Sequence, residues 1–213
     1  MFRDQGSNEV KSMPIENLPI LLEKMANGNM GTWYEKLNET DEIFKVKKKK
    51  LKLVVDDITS HLLARYLKDG NSHPAKDYPD LFSKDFPDGV VSYEWSLGLG
   101  GEGGLVRVLN DPKVQRARSM DGKRAGGHLR VWIDCFFIDQ LSKKITVELA
   151  ISQENYILCC LHIIAGSNSL LNRGWCIWEL GLRAHSGKES LIIGKLQEKV
   201  KTSVASLNTS NEL

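Results

Sequence analysis

The chain has 213 residues, 41% of them hydrophobic and 26% charged, with a formal net charge of +2. Such a balance belongs to a globular protein and excludes wholesale disorder, and the charge is too small to argue for a nucleic-acid partner. No run approaches the ~18 apolar residues of a membrane span, and the opening stretch, with Arg3, Asp4 and Glu9, does not read as a signal peptide.

Residues 1–13 read as a loose polar start, and residues 14–70 as a helical extension. Leu18, Leu21, Leu22 and Met25 recur at three- and four-residue steps, and Ile58, Leu62, Leu63 and Tyr66 form a second stripe. Asn27-Gly28-Asn29 is a stop signal between them. Lys47 to Lys50, with Lys52, fit a phosphate or acidic membrane surface, but Asp56 and Asp57 follow closely and favour a solvated helix face. Three of the six prolines (Pro74, Pro79 and Pro87) fall within 71–88, which reads as a linker.

Beyond the linker the period changes. Val90 to Tyr93 is a short strand running into Trp95 and a glycine-rich turn. Leu105 to Arg118 is helical, with a bend at Asp111-Pro112, and Leu129 to Ile133 is a buried strand. Ile145 to Asn155 fits a helix, and the nearly continuous apolar run Tyr156 to Ile164 fits a strand covered on both faces. Leu170 to His185 is a helix stopped by Ser186-Gly187, Ser190 to Ile193 is a further strand, and 196–213 form a C-terminal helix or tail. This alternation argues for an α/β fold, a parallel sheet of four to five strands flanked by helices. Ligands bind such sheets at the carboxyl ends of the strands. The turn after Tyr93, the loop after Asp134 and the start of the helix carrying Glu179 should gather there.

Cys135, Cys159, Cys160 and Cys176 lie in apolar segments without a CxxC pair, and read as buried free thiols in a reducing cytoplasm. The five histidines lack metal-site spacing, so no metal is expected. Gly98-Leu99-Gly100-Gly101-Glu102-Gly103 matches GxGxxG between a strand and a helix. Asp134 stands about thirty residues on rather than the ~20 of a dinucleotide fold, so a flexible loop is the better reading, with a Rossmann-type oxidoreductase as a minor alternative. Asp134 itself serves equally as a ligand-orienting acid or as a turn former. On a helical wheel Leu171, Trp175, Trp178 and Leu182 make the buried stripe, and Glu179 sits at its flank. Glu179 then either pairs with Arg183 four residues later or presents a carboxylate beside an aromatic wall.

Val91-Ser92-Tyr93, Trp132-Ile133-Asp134 and Trp175-Cys176-Ile177-Trp178-Glu179-Leu180 resemble, in order and spacing, a Toll/interleukin receptor (TIR) domain over about residues 88–195. The resemblance implies a flavodoxin-like sheet over 89–195. It also implies cleavage of NAD+ at the nicotinamide–ribose bond, by a glycohydrolase or cyclase with NAD+ as substrate and no cofactor. Glu179 fits the family's W-x-x-x-E glutamate and is the implied catalytic residue. Ser92, Tyr93, Trp95, Asp134 and Trp175 are the implied substrate-binding residues. A cytoplasmic setting in immune or antiviral defence follows, with self-association or a downstream effector that binds the product. A non-catalytic TIR interaction module is the alternative. Glu94 stands where many enzymatic members carry a basic residue, and Cys135-Phe136-Phe137 is an atypically hydrophobic loop start.

Overall fold

A computed structural model describes residues 10–40, 52–101, 104–120, 128–138, 153–166, 170 and 174–194. The lysine run 47–50, the end of the GxGxxG motif, most of the helix expected over 145–155 and the tail 196–213 lie outside the described residues.

The protein is built on a mixed five-stranded sheet: β1 (Met13–Pro14), β2 (Gly89–Tyr93), β3 (Arg130–Ile133), β4 (Leu161–Gly166) and β5 (Leu191–Gly194). Their order is β1-β3-β2-β4-β5. Only β1 runs antiparallel, pairing Met13 with Val131 and Pro14 with Arg130. The other four run parallel with β2 and β4 in the middle, which is the strand order of a flavodoxin-like doubly wound sheet.

Alternate residues of each strand face opposite layers. Val91, Tyr93, Val131, Ile133, Ile163 and Ala165 join one large core with Leu18, Leu21, Leu22 and Met25 of the Asn17–Asn27 helix. Leu63 and Tyr66 of the Ser60–Lys68 helix and Leu105 and Leu109 of the Leu105–Leu109 helix complete that layer. On the other face Val90 and Trp132 pack on Tyr156 and Cys159, while Ile164 packs on Leu170, Cys176 and Leu180. Burial on both faces is why these strands read as largely apolar runs.

The N-terminal helices therefore share their core with the sheet. Met13, at the end of the stretch read as loose, is fully buried. The stretch read as a linker carries a helical turn at Pro74–Asp77 and a 3-10 turn at Pro79–Leu81. It is tied to the sheet by Phe82 in the core, by Ser83 bonded to the Lys11–Ser12 backbone, and by Arg130 with Asp85 and Asp88.

The helix expected over 105–118 is split into Leu105–Leu109 and Pro112–Met120, with Asp111 Oδ1 accepting from Lys113 N at 2.8 Å. The run 156–164 is not one strand. Residues 153–158 are helical, and β4 begins only at Leu161. A continuous apolar run has no period, so it cannot separate a buried helix end from the strand after it. No helix among the described residues is long and apolar enough to cross a membrane.

Candidate functional site

Ser92 and Val90 point from β2 toward the layer formed by residues 153–158 and the Gly174–His185 helix. His162 occupies the same face of the neighbouring β4, where the register sets it opposite Val90. The Gly174–His185 helix carries Glu179 over these residues. The helix ends in a tight turn, with Gly187 N bonded to Ala184 O and Gly187 at φ +67°.

The helix is turned differently from the wheel expected from its tryptophans. Its buried side chains are Cys176, Glu179, Leu180 and Arg183. Trp175 and Leu182 are half-buried, and Trp178 is 36% exposed. Hydropathy alone places an indole inside and an acid outside; here the acid and the guanidinium go inside because each finds hydrogen-bond partners there. Trp175 and Trp178 stack with centroids 4.8 Å apart.

Glu179 is only 1% exposed. Ser92 Oγ donates to its Oε2 at 2.6 Å, and the Tyr156 hydroxyl donates to its Oε1. Burial, and then the charge of Asp134, push this carboxyl up to about 8; hydrogen bonds from Ser92, Tyr156 and Trp175 pull the other way. No ion pair joins Glu179 to Arg183. The Arg183 guanidinium instead donates to the carbonyls of Cys159 at 2.7 Å, Cys160 at 2.8 Å, Glu189 at 3.1 Å and Tyr156 at 3.4 Å.

The other implied site residues divide among three places. Ser92 and Trp175 adjoin Glu179. Asp134 and Trp95 hold each other at the strand ends: Trp95 Nε1 donates to Asp134 Oδ2 at 3.0 Å, and Asp134 Oδ1 accepts from Cys135 N at 2.7 Å. Asp134 thus acts as a turn former and is also close enough for its charge to raise Glu179. Tyr93 faces the opposite layer, where its hydroxyl meets Ser60 Oγ; burial first, and then Asp134, hold it well above its ordinary value. Its ring belongs to the N-terminal core.

The sequence reading missed Tyr156, His162 and Ser190. Ser92 Oγ lies 2.8 Å from His162 Nε2, and His162 Nδ1 lies 2.8 Å from Ser190 Oγ. Burial, with Arg183 second, holds this imidazole down at about 3, so it is neutral. A histidine inside the apolar run Leu161–Ala165 was the available signal, since a buried imidazole needs partners.

The glycine-rich turn has a local explanation. A Cβ on Gly100 would stand 2.4 Å from Val55 Cγ1 and 2.9 Å from Val55 O, and Gly101 has φ +74°. Two amides at this turn are used inside the protein: Leu99 N bonds Ile58 O at 2.7 Å, and Leu105 N bonds Gly98 O at 2.9 Å. Those groups are not directed at a phosphate. Of the cysteines, Cys135, Cys159 and Cys176 are buried free thiols, whereas Cys160 is exposed, against expectation. Comparison with protein-family models, with characterised proteins and with solved structures yields no match.

Proposed function

We propose that this chain is a TIR-like NAD+-cleaving enzyme with Glu179 as its catalytic carboxylate. The observation that carries the reading is the carboxyl of Glu179, bonded to Ser92 near the carboxyl end of the central strand and lying beside Trp175. Doubly wound sheets bind ligands at those strand ends.

The chemistry suits an acid held in this way. When the C1′–N bond of NAD+ breaks, its electron pair leaves with nicotinamide. Nicotinamide departs as a neutral pyridine and needs no proton from the enzyme. The ribosyl carbon is left electron-poor, and an anionic carboxylate beside it lowers the barrier, as in glycoside hydrolysis. Attack by water then gives ADP-ribose, and attack by the substrate's own adenine ring gives a cyclic product. The stacked Trp175 and Trp178 offer a flat surface for a planar ring. Under this reading the protein is cytoplasmic, works in immune or antiviral defence, and acts through self-association or an effector that binds the product.

One observation favours the alternative, a non-catalytic interaction module. Glu179 is buried and both of its carboxyl oxygens already hold hydroxyl partners. The test is incubation of the protein with NAD+ followed by mass spectrometry of the products. The enzymatic reading expects nicotinamide release that Glu179→Ala abolishes. Wild-type protein that stays inert when concentrated, or a Glu179→Ala protein that keeps full turnover, supports the module.

A further inference from the structure

Ser92, His162 and Ser190 form a chain that ends on Glu179 Oε2. Ser92 has one hydroxyl proton. While that proton goes to Oε2, the Ser92 oxygen receives its own hydrogen bond from His162 Nε2, which must then carry a proton. A neutral imidazole has one N–H, so Nδ1 is left with a lone pair and accepts from the Ser190 hydroxyl. One choice of direction fixes the others. In the reverse tautomer, Ser92 would donate to Nε2 and present only lone pairs to Oε2. That arrangement is satisfied only when Glu179 carries a proton.

We propose that His162, held as its Nε2–H tautomer by Ser190, is a positioning residue for Glu179: it commits the Ser92 hydroxyl to Oε2 and keeps that oxygen an anionic acceptor. The proposal rests on the NAD+-cleavage reading for its purpose and on the hydrogen-bond chain for its geometry. β4 supplies His162, the residue just before β5 supplies Ser190, and β2 supplies Ser92, so two strands and the entry to a third combine to aim one hydroxyl at a residue of the covering helix.

The groups around this carboxyl come from every element packed on it. Asp134 at the end of β3 disfavours the anion, and Tyr156 from residues 153–158 favours it. Trp175, on the same helix as Glu179, donates to it. Arg183, one turn further along, adds to burial in keeping the His162 ring uncharged, and spends its own donors on backbone carbonyls. Ser92 is therefore the donor whose direction depends on the state of another side chain.

The test has two arms on the full chain. Nitrogen-15 NMR of histidine in the unsubstituted protein, above the Glu179 transition at about 8, is expected to find His162 as the Nε2–H tautomer. The Nδ1–H tautomer there overturns the proposal. The second arm follows the Glu179 carboxyl by carbon-13 NMR, assigned by its loss in Glu179→Gln. His162→Leu is expected to raise the midpoint by about one pH unit, a tenfold loss of carboxylate at fixed pH. His162→Gln, whose amide restores a donor to Ser92, returns it toward the original value. A midpoint unchanged in His162→Leu overturns the proposal; the tautomer arm decides it if that variant fails to fold. Nicotinamide release on the same proteins separates the two readings. An inert wild type overturns the NAD+ reading and leaves both NMR arms to decide the relay. An active wild type whose pH profile is matched by His162→Leu overturns the positioning role.

Discussion

Glu179→Gln is expected to gain stability relative to wild type as pH rises and, under the proposed function, to abolish nicotinamide release. The carboxyl stands at about 8 in the folded protein against 4.5 for an unperturbed acid. Between those values the native state holds a proton that the unfolded chain has released. Native stability therefore falls as pH rises through that window and levels off above it. At about 1.4 kcal/mol per pH unit the full effect is roughly 4–5 kcal/mol, an upper figure because relaxation around a buried ion reduces it. Glutamine carries no such dependence. Its oxygen accepts from one of the two hydroxyls and its amide donates to the other, so the remaining difference from wild type is nearly independent of pH. Urea unfolding of both proteins at about pH 5, 7 and 9 measures the quantity directly. The variant should gain on wild type across the series, by on the order of 3 kcal/mol or more at the alkaline end. A constant difference between the two proteins at all three pH values would refute the reasoning, because Glu179 would then titrate like an exposed acid.

Three further outcomes follow from the same geometry. Arg183→Ala should cost about 2–4 kcal/mol in urea unfolding, because the buried carbonyl of Cys159 and the part-buried one of Cys160 lose their guanidinium donor. Arg183→Lys should recover only part, since one ammonium cannot reproduce the planar fork. Tyr156→Phe removes a hydrogen bond to the ionised carboxyl, so the pH at which nicotinamide release rises should move upward; an unmoved profile contradicts the coupling. Gly100→Ala should lower stability by about 1–3 kcal/mol through its clash with Val55, and calorimetry of NAD+ binding should find no loss specific to the glycine turn.

The sheet was legible because each strand is a short apolar run between turn signals. The parallel pairing of β2 to β5 then follows from alternating strands and helices. Three things were not legible. β1 is two residues long, too short to carry a period. The end of the helix before β4 is as apolar as the strand itself, although Leu158 is 54% exposed. The orientation of the Gly174–His185 helix is not legible from a helical wheel, which ranks tryptophan by hydropathy and takes no account of partners that only the fold supplies. Ser92, Tyr156 and the carbonyls of Cys159 and Cys160 are far from that helix in sequence, yet they are what permit Glu179 and Arg183 to point inward.

That orientation bears on why position 179 holds an acid at all. Glu179 and Arg183 are four residues apart on one buried helix face, an arrangement that ordinarily pairs. Arg183 is instead consumed by carbonyls near the end of the 153–158 helix, where Lys188 Nζ also reaches Ile157 O at 2.9 Å and Leu158 O at 3.0 Å. Cations are favourable at that end of a helix. Glu179 is left with two hydroxyls, an indole and a neutral imidazole behind one of them. The charge that acts on it, Asp134, has the same sign. A purely structural role would be filled as well by glutamine, which bridges the same hydroxyls without opposing burial. A carboxyl with no counter-ion among the described residues, raised to a value close to neutral, supports the proposed catalytic role. The Glu179→Gln series therefore probes function as well as stability: a variant that is more stable at alkaline pH and inert toward NAD+ places the cost of the carboxylate on the side of chemistry.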